Sequence, residues 1–154
     1  MEELTVKVVK RTNEIALERL LDVYADEFKS AAERESFYMY LLEYFSAPDC
    51  CYFLLVCDDQ YVSVLRTERY RDGYLITGLH TKREFRSRGF GKQILTEACG
   101  HLRSSGNVAI YSHVENTNAA SIRVHLACGF KKELEYASFI DGSISWNSCT
   151  LILK

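Results

Sequence analysis

A single proline, Pro48, stands in a chain of 154 residues, so a proline-rich linker is excluded. No apolar run approaches the roughly 20 residues that a membrane-spanning helix needs. The opening MEELTVKVVKR has no apolar stretch of the kind a secretory leader carries, so neither a span nor a leader is expected. A dominant charge is lacking as well, because 19 lysines and arginines face 21 acids for a net charge of −2. That balance gives no general pull toward nucleic acid or an anionic membrane. The six cysteines have no metal or redox spacing: Cys50 and Cys51 are adjacent, while Cys57, Cys99, Cys128 and Cys149 are isolated. They read as buried thiols of a reducing cytoplasm rather than a disulfide frame, with a bridge from Cys50 or Cys51 to Cys149 left open. Histidines and carboxylates show no metal spacing either, so no metal site is expected.

What is present suits one folded domain over residues 1–154, with enough apolar and aromatic content for a proper core. LTVKVV (4–9) reads as a strand. Leu17, Leu20, Leu21, Tyr24 and Phe28 fall at helical spacing within 15–28, and Phe37, Leu41, Tyr44 and Phe45 do so within 33–45. CYFLLVC (51–57), the turn DDQ and YVSVLRTERY (61–70) make a hairpin, and YLITGLHT (74–81) follows Asp72-Gly73. Gly78 inside that strand signals a bulge or a close backbone approach. Ile94, Leu95, Ala98 and Leu102 carry a helix ending near Ser105-Gly106, and VAIYSHV (108–114) is the next strand. Asn118 stands at an N-cap, Ile122 and Leu126 form an apolar stripe, and Gly129 suits the left-handed position beyond that helix, with Phe130 packing back. KELEYASF and SCTLILK close the chain as strands around Asp141-Gly142. The class is mixed α/β, with strands and helices alternating only in the middle.

The stretch FRSRGFGKQIL (85–95) sets two arginines and two glycines directly before a helical run. Such a turn presents unpaired backbone N–H groups in a positive field, which is an anion site. Gly89 and Gly91 let oxygens approach the backbone, and Arg86, Arg88 and Lys92 add charge. The alternative is a solvated basic turn that only caps a helix. A dinucleotide fingerprint would need glycine where Ile94 stands, and a P-loop would need Ser or Thr where Gln93 stands. Neither a Rossmann site nor an NTPase is therefore expected.

Arg86-x-x-Gly89-x-Gly91 after LITGLHT resembles the pyrophosphate-binding signature of the GNAT superfamily of acetyl-CoA-dependent N-acetyltransferases. ENTNAASIRVHLACGF (115–130) resembles that superfamily's second signature, in the same order and spacing. The resemblance implies a central, mostly antiparallel sheet of six to seven strands flanked by about four helices. It implies acetyl-CoA as donor, a cytoplasmic enzyme, and a primary amine as acceptor. The backbone of Arg86, Ser87, Arg88, Gly89, Phe90, Gly91 and Lys92 would cradle the pyrophosphate. Leu79 and Thr81 would pair with the pantetheine arm through main-chain groups, with Gly78 as the bulge. His80 lies between them, its side chain turned from the thioester. Asn118 would reach the pantetheine from the other side with Ser121 nearby, and an N–H near Leu79 would polarise the thioester carbonyl.

Where the family commonly has a tyrosine acid, seven residues after the motif asparagine, this chain has His125. Imidazolium is a capable acid near neutrality; the other reading is a helix histidine that packs against CoA. Five positions before Asn118, where some members place a carboxylate base, stands His113, with Glu115 as second choice. Its alternative is a strand histidine bonded within the fold. Leu75 and Thr77, at other base positions of the family, have no such chemistry. His101 reads as a surface residue near a helix end. The acids and aromatics of 21–45 would wall an acceptor pocket and favour a cationic amine, or form a solvated face. Trp146 would join that pocket or a contact in a homodimer. The reading from another class is a non-catalytic acyl-CoA sensor or adaptor.

Overall fold

The computed structural model describes residues 4–10, 14–49, 51–104 and 106–154. Nine strands and four α-helices lie among them: β1 (Leu4–Val9), α1 (Leu17–Val23), α2 (Ala31–Ser46), β2 (Cys51–Cys57), β3 (Gln60–Tyr70), β4 (Gly73–Thr81), α3 (Phe90–Leu102), β5 (Ile110–Glu115), α4 (Ala119–Ala127), β6 (Lys131–Leu134), β7 (Ala137–Ser138), β8 (Ile144–Ser145) and β9 (Ser148–Leu153). Seven strands form one sheet in the order β1-β2-β3-β4-β5-β9-β6, and β7-β8 is a separate hairpin. Every pairing in the large sheet is antiparallel except β4 with β5.

The first helical pattern is cut short: α1 stops at Val23 and a single 3-10 turn, Ala25–Glu27, follows. α2 begins earlier than its apolar spacing indicates, because Ser30 caps it. The Ser30 hydroxyl accepts from the Glu33 N–H at 3.2 Å while the Glu33 carboxylate accepts from the Lys29 N–H at 2.6 Å. α1 and α2 cover one face of β2 and β3, burying Leu20, Leu21, Leu41 and Phe45 against Tyr52, Leu54 and Val64. The Tyr44 hydroxyl accepts from the Cys51 N–H at 3.0 Å and lies 2.6 Å from the Thr67 carbonyl, fixing α2 to the ends of both strands.

α3 covers the opposite face. Phe90, Ile94, Leu95, Ala98, Cys99 and Leu102 repeat at helical spacing and are buried. Ile94 and Leu95 are wholly inaccessible, and each such side chain contributes about 2 kcal/mol by leaving water. Cys99, Cys128 and Cys149 are free thiols, so no bridge joins Cys149 to Cys51; the alternative through Cys50, like Ser105, lies outside the described residues. Burial pushes the Cys99 thiol up to about 12, which keeps it protonated and inert.

Three expectations for the last third are corrected. KELEYASF is not one strand, since β6 ends at Leu134 and β7 starts a hairpin of its own. Leu126 is 51% exposed, while His125, one residue earlier, is 1% exposed. Trp146 is exposed on the β8 side of that hairpin, against Tyr136 at 4.9 Å, and does not line the groove described below. No helix among the described residues is long and apolar enough to cross a membrane.

Candidate active site

β4 and β5 pair only over Tyr74–Ile76 and Ile110–Ser112. The paired end is tight: a Cβ on Gly73 would meet the Ala109 carbonyl oxygen at 1.8 Å. Immediately beyond, β4 carries an extra residue against β3, because Arg66 faces Gly78 while Thr67 faces Ile76. The bulge therefore falls on Thr77, not on Gly78. One added residue reverses the facing of all that follow. Ile76 packs with α3 on one side of it, and Leu79 packs there on the other. The two strands part at this point and leave a groove of about 440 Å³.

The main chain of β4 offers itself to this gap. The Lys82 N–H donates to the Val62 carbonyl of β3 at 2.8 Å. Antiparallel alternation then turns the main-chain groups of Gly78 and His80 toward β3 and those of Leu79 and Thr81 toward the opening. The Thr81 carbonyl accordingly accepts from Arg86 Nε at 3.0 Å, on the side away from β3.

At the same end the chain enters the turn before α3. Ser87 and Gly89 both have positive φ, 65° and 82°, and such left-handed residues turn successive N–H groups to one side. Gln93 is the first residue of this helix to donate back, to the Gly89 carbonyl at 3.0 Å. The N–H groups ahead of it, through Phe90, Gly91 and Lys92, belong to the orphan donors of a helix start. A Cβ on Gly89 would meet nothing within 4 Å, so glycine is needed there for its backbone conformation and the cradle is open.

Arg86 departs from its expected part. Its guanidinium turns back from the cradle to Asp26 Oδ2 at 2.7 Å and lies 3.1 Å from His80 Nε2. The side-chain charge left at the mouth comes from Arg88, over the Phe85 ring at 5.6 Å, and from exposed Lys92. Burial pushes the Asp26 carboxyl up, but hydrogen bonds from Arg86 and His80 outweigh it and hold it below the usual range. His80 stacks on Tyr24 at 4.9 Å and faces α1 rather than α3. Asp26, Glu27 and His80 come within 4.8 Å of one another at ligand atoms, but the Asp26 carboxylate is already paired with the Arg86 cation.

α4 lines the groove from the other side. Asn118 caps it, its Oδ1 accepting from the Ser121 N–H at 3.1 Å. At its far end Gly129 has φ 95°. The Phe130 N–H reaches the His125 carbonyl at 3.1 Å and the Gly129 N–H reaches Leu126 at 3.1 Å. That is a Schellman ending, whose usual apolar contact joins these same two positions. Here it is Phe130 edge-on to the His125 ring at 5.0 Å. Nδ1 of His125 lies 2.7 Å from the Ser121 carbonyl, so the proton sits on Nδ1 and Nε2 keeps its lone pair. Nε2 is buried and has no partner. Burial lowers the pKa of the ring, with the Ser121 bond offsetting part of that.

His113 reaches the groove from β5, held edge-on between Tyr70 at 5.6 Å and Phe139 at 5.0 Å. Its Nε2 is buried without a partner, and burial, then Arg71, lowers its pKa. Both imidazoles are thus neutral at neutral pH. Glu115 is exposed at the rim, and Leu79, His80, Asn118, Ser121, His113 and His125 all line the one groove.

Sequence reasoning expected acids and aromatics of 21–45 on this wall, where Tyr24, Glu27, Phe28 and Phe37 do line the groove, but it missed the contribution of β3. Arg66 projects there, and a Cβ on Gly78 would lie 3.0 Å from its Cζ and Nη1. Gly78 was the visible trace of this side chain: glycine stands there so that the guanidinium can pass over the strand.

Residues 17–130 match the model of the acetyltransferase (GNAT) family. No curated protein matches the chain in sequence. Among solved structures, the PaiA N-acetyltransferase of Thermoplasma acidophilum in complex with coenzyme A has a TM-score of 0.70 at 20% identity, over 97% of this chain and 99% of that one. The ribosomal-protein-S18-alanine N-acetyltransferase of Escherichia coli has a TM-score of 0.72 at 16% identity, covering 98% and 93%. A Bacillus subtilis acetyltransferase in complex with CoA has 0.69 at 18% identity, covering 99% of both. At these identities the likeness is one of fold.

Proposed function

The chain belongs to the acetyltransferase (GNAT) family, and from that premise we propose that it moves the acetyl group of acetyl-CoA to a primary amine by direct attack on the thioester. One observation carries this: β4 and β5 part directly after Ile76 and Ser112, with the open main chain of Leu79 and Thr81 leading to the cradle before α3. The pantetheine arm lies in that gap as an added strand, and the pyrophosphate rests on the N–H groups from Arg86 to Lys92. Asn118 and Ser121 flank the arm from α4. The whole chain, 1–154, works as one domain in the cytoplasm on this reading.

An alkyl amine with a pKa of about 10 is almost wholly protonated at neutral pH, so it must lose a proton before attacking. His113, neutral and with an unpartnered Nε2, takes that proton directly or through water, with Glu115 as the second choice at the rim. As the carbonyl becomes tetrahedral, the Leu79 N–H stabilises the oxyanion. The C–S bond then breaks, and His125 is the group placed to return a proton to the thiolate. Its resting tautomer carries no proton on Nε2, so it must first gain one there; otherwise the ring serves only to pack against the arm. Amine-dependent appearance of free CoA thiol tests the proposal. Turnover with any primary amine is the expected result, and binding of acetyl-CoA with no turnover across amines and peptides opposes it.

A further inference from the structure

The transfer chemistry leaves one wall of the groove without a task. Arg66 crosses it, its guanidinium 5.2 Å from the Tyr40 ring and 5.8 Å from the Phe37 ring. Nε is buried with no partner. Tyr24 and Tyr52 share a hydrogen bond beside it, and each also turns its hydroxyl oxygen to the guanidinium. Burial raises the pKa of both, with Arg66 offsetting part of that, so at neutral pH they are uncharged phenols. Among the described residues no carboxylate lies within 4 Å of the guanidinium. Asp26 is committed to Arg86 and His80. The Glu68 carboxyl is pushed up by burial, and Arg66 offsets only part of that. The two phenols return part of the lost hydration but no charge, and a largely desolvated cation without a counter-charge is costly. An aromatic-walled guanidinium open to a cavity has the fork that receives a carboxylate.

We propose that Arg66 holds a carboxylate of the acceptor, so that the amine acetylated is that of a small amino acid. The inference rests on the acetyl-transfer reading of this groove. Gly78, over which Arg66 passes, directly precedes Leu79, whose N–H faces the reacting carbonyl. A carboxylate on Arg66 therefore sits only a few bonds from the attacking nitrogen, while Glu115 and His113 line the opposite side and suit an ammonium group. The nitrogen lone pair forms the new N–C bond to the acetyl carbon, the C–S bond breaks, and CoA leaves as thiolate. The proton lost by the amine ends on that sulfur, giving an N-acetyl amino acid and CoA.

The test compares initial rates of thiol release for amino acids and for the amines made by removing their carboxylates, in the natural chain, Arg66→Gln and Arg66→Lys. A preference of about 100-fold in kcat/KM for the amino acids is expected, because a site built around a polar partner rejects the analogue that lacks it. The preference should reside in KM, vanish in Arg66→Gln and return in part in Arg66→Lys, with acetyl-CoA affinity unchanged. If Arg66→Gln does not fold, the comparison in the natural chain decides. Amines accepted as well as amino acids overturn the assignment and leave the acetyl-transfer reading intact. If nothing is turned over, that reading fails instead, and melting temperatures of the CoA-loaded protein decide: stabilisation by millimolar amino acids but not by amines retains the carboxylate site, and no stabilisation removes it.

Discussion

Arg86 Nη2 reaches Asp26 Oδ2 at 2.7 Å across the mouth of the groove, so the turn that opens α3 is tied to the 3-10 segment after α1. The partners are 60 residues apart in sequence. On the proposed function, this pair ties the element that holds the cofactor to one on the acceptor side.

Asp26→Asn should therefore cost little stability, under about 1 kcal/mol at pH 7, as partly exposed pairs do. Its signature is pH dependence. The folded-state pKa of Asp26 is depressed, so its contribution is present above the ordinary carboxylate range and is lost as pH falls through the folded value. Denaturation curves of the natural chain and Asp26→Asn should differ at pH 7 and converge only as pH falls below the ordinary value of about 4 and through the lower folded one. A gap that persists at low pH contradicts the assignment.

Gly73→Ala should be far more damaging. A methyl group there would lie 1.8 Å from the Ala109 carbonyl oxygen, immediately before the parallel pairing of β4 with β5. Backbone must move to admit it, and a loss of about 3 kcal/mol is expected by urea denaturation. A loss below 1 kcal/mol would show that the β4–β5 junction is loose.

At Gly89 strain and ligand separate cleanly. With φ at 82° and nothing within 4 Å of an added Cβ, alanine costs about 1 kcal/mol of backbone strain and leaves the cradle open. Glutamate places a carboxylate where phosphate oxygens belong. Gly89→Ala should retain micromolar acetyl-CoA binding, and Gly89→Glu should lose it. Equal affinities in the two variants count against pyrophosphate at this turn.

His125→Phe should slow turnover by about 100-fold, the low end of what acid–base groups supply, while acetyl-CoA affinity stays within a few-fold. An unchanged rate assigns the ring to packing. The two histidines also mark stability. Both have lowered pKa values through burial, so the unfolded chain binds their protons at higher pH than the folded one. Stability is then full above the ordinary histidine value of about 6.5 and declines as pH falls below it. A His113→Phe/His125→Phe variant should lose less stability than the natural chain between pH 7.5 and 5.5.

Much of this architecture was legible in the sequence because it is local. The Asn118 cap, the glycine-rich turn and the Gly129-Phe130 ending are set by a few adjacent residues, and the α3 stripe is set by one helix, whereas the Ser30 cap went unread because the apolar spacing of α2 starts later. Leu126 was misread because spacing from Ile122 alone gives the stripe of α4. The fold of Phe130 back onto the helix decides instead, and a Schellman ending places that contact on His125. Arg66 was illegible for a different reason. On alternating strand β3 it reads as a solvent-facing cation, and only α1 and α2, brought over the sheet, enclose it.

The measurement that bears most directly on the account is a calorimetric titration of the purified chain with acetyl-CoA, with adenosine diphosphate as the control. Micromolar binding, much tighter than the diphosphate alone, is the predicted result, since the cradle and the open edge of β4 should both contribute. No heat and no rise in melting temperature at millimolar acetyl-CoA would contradict the assignment of this groove.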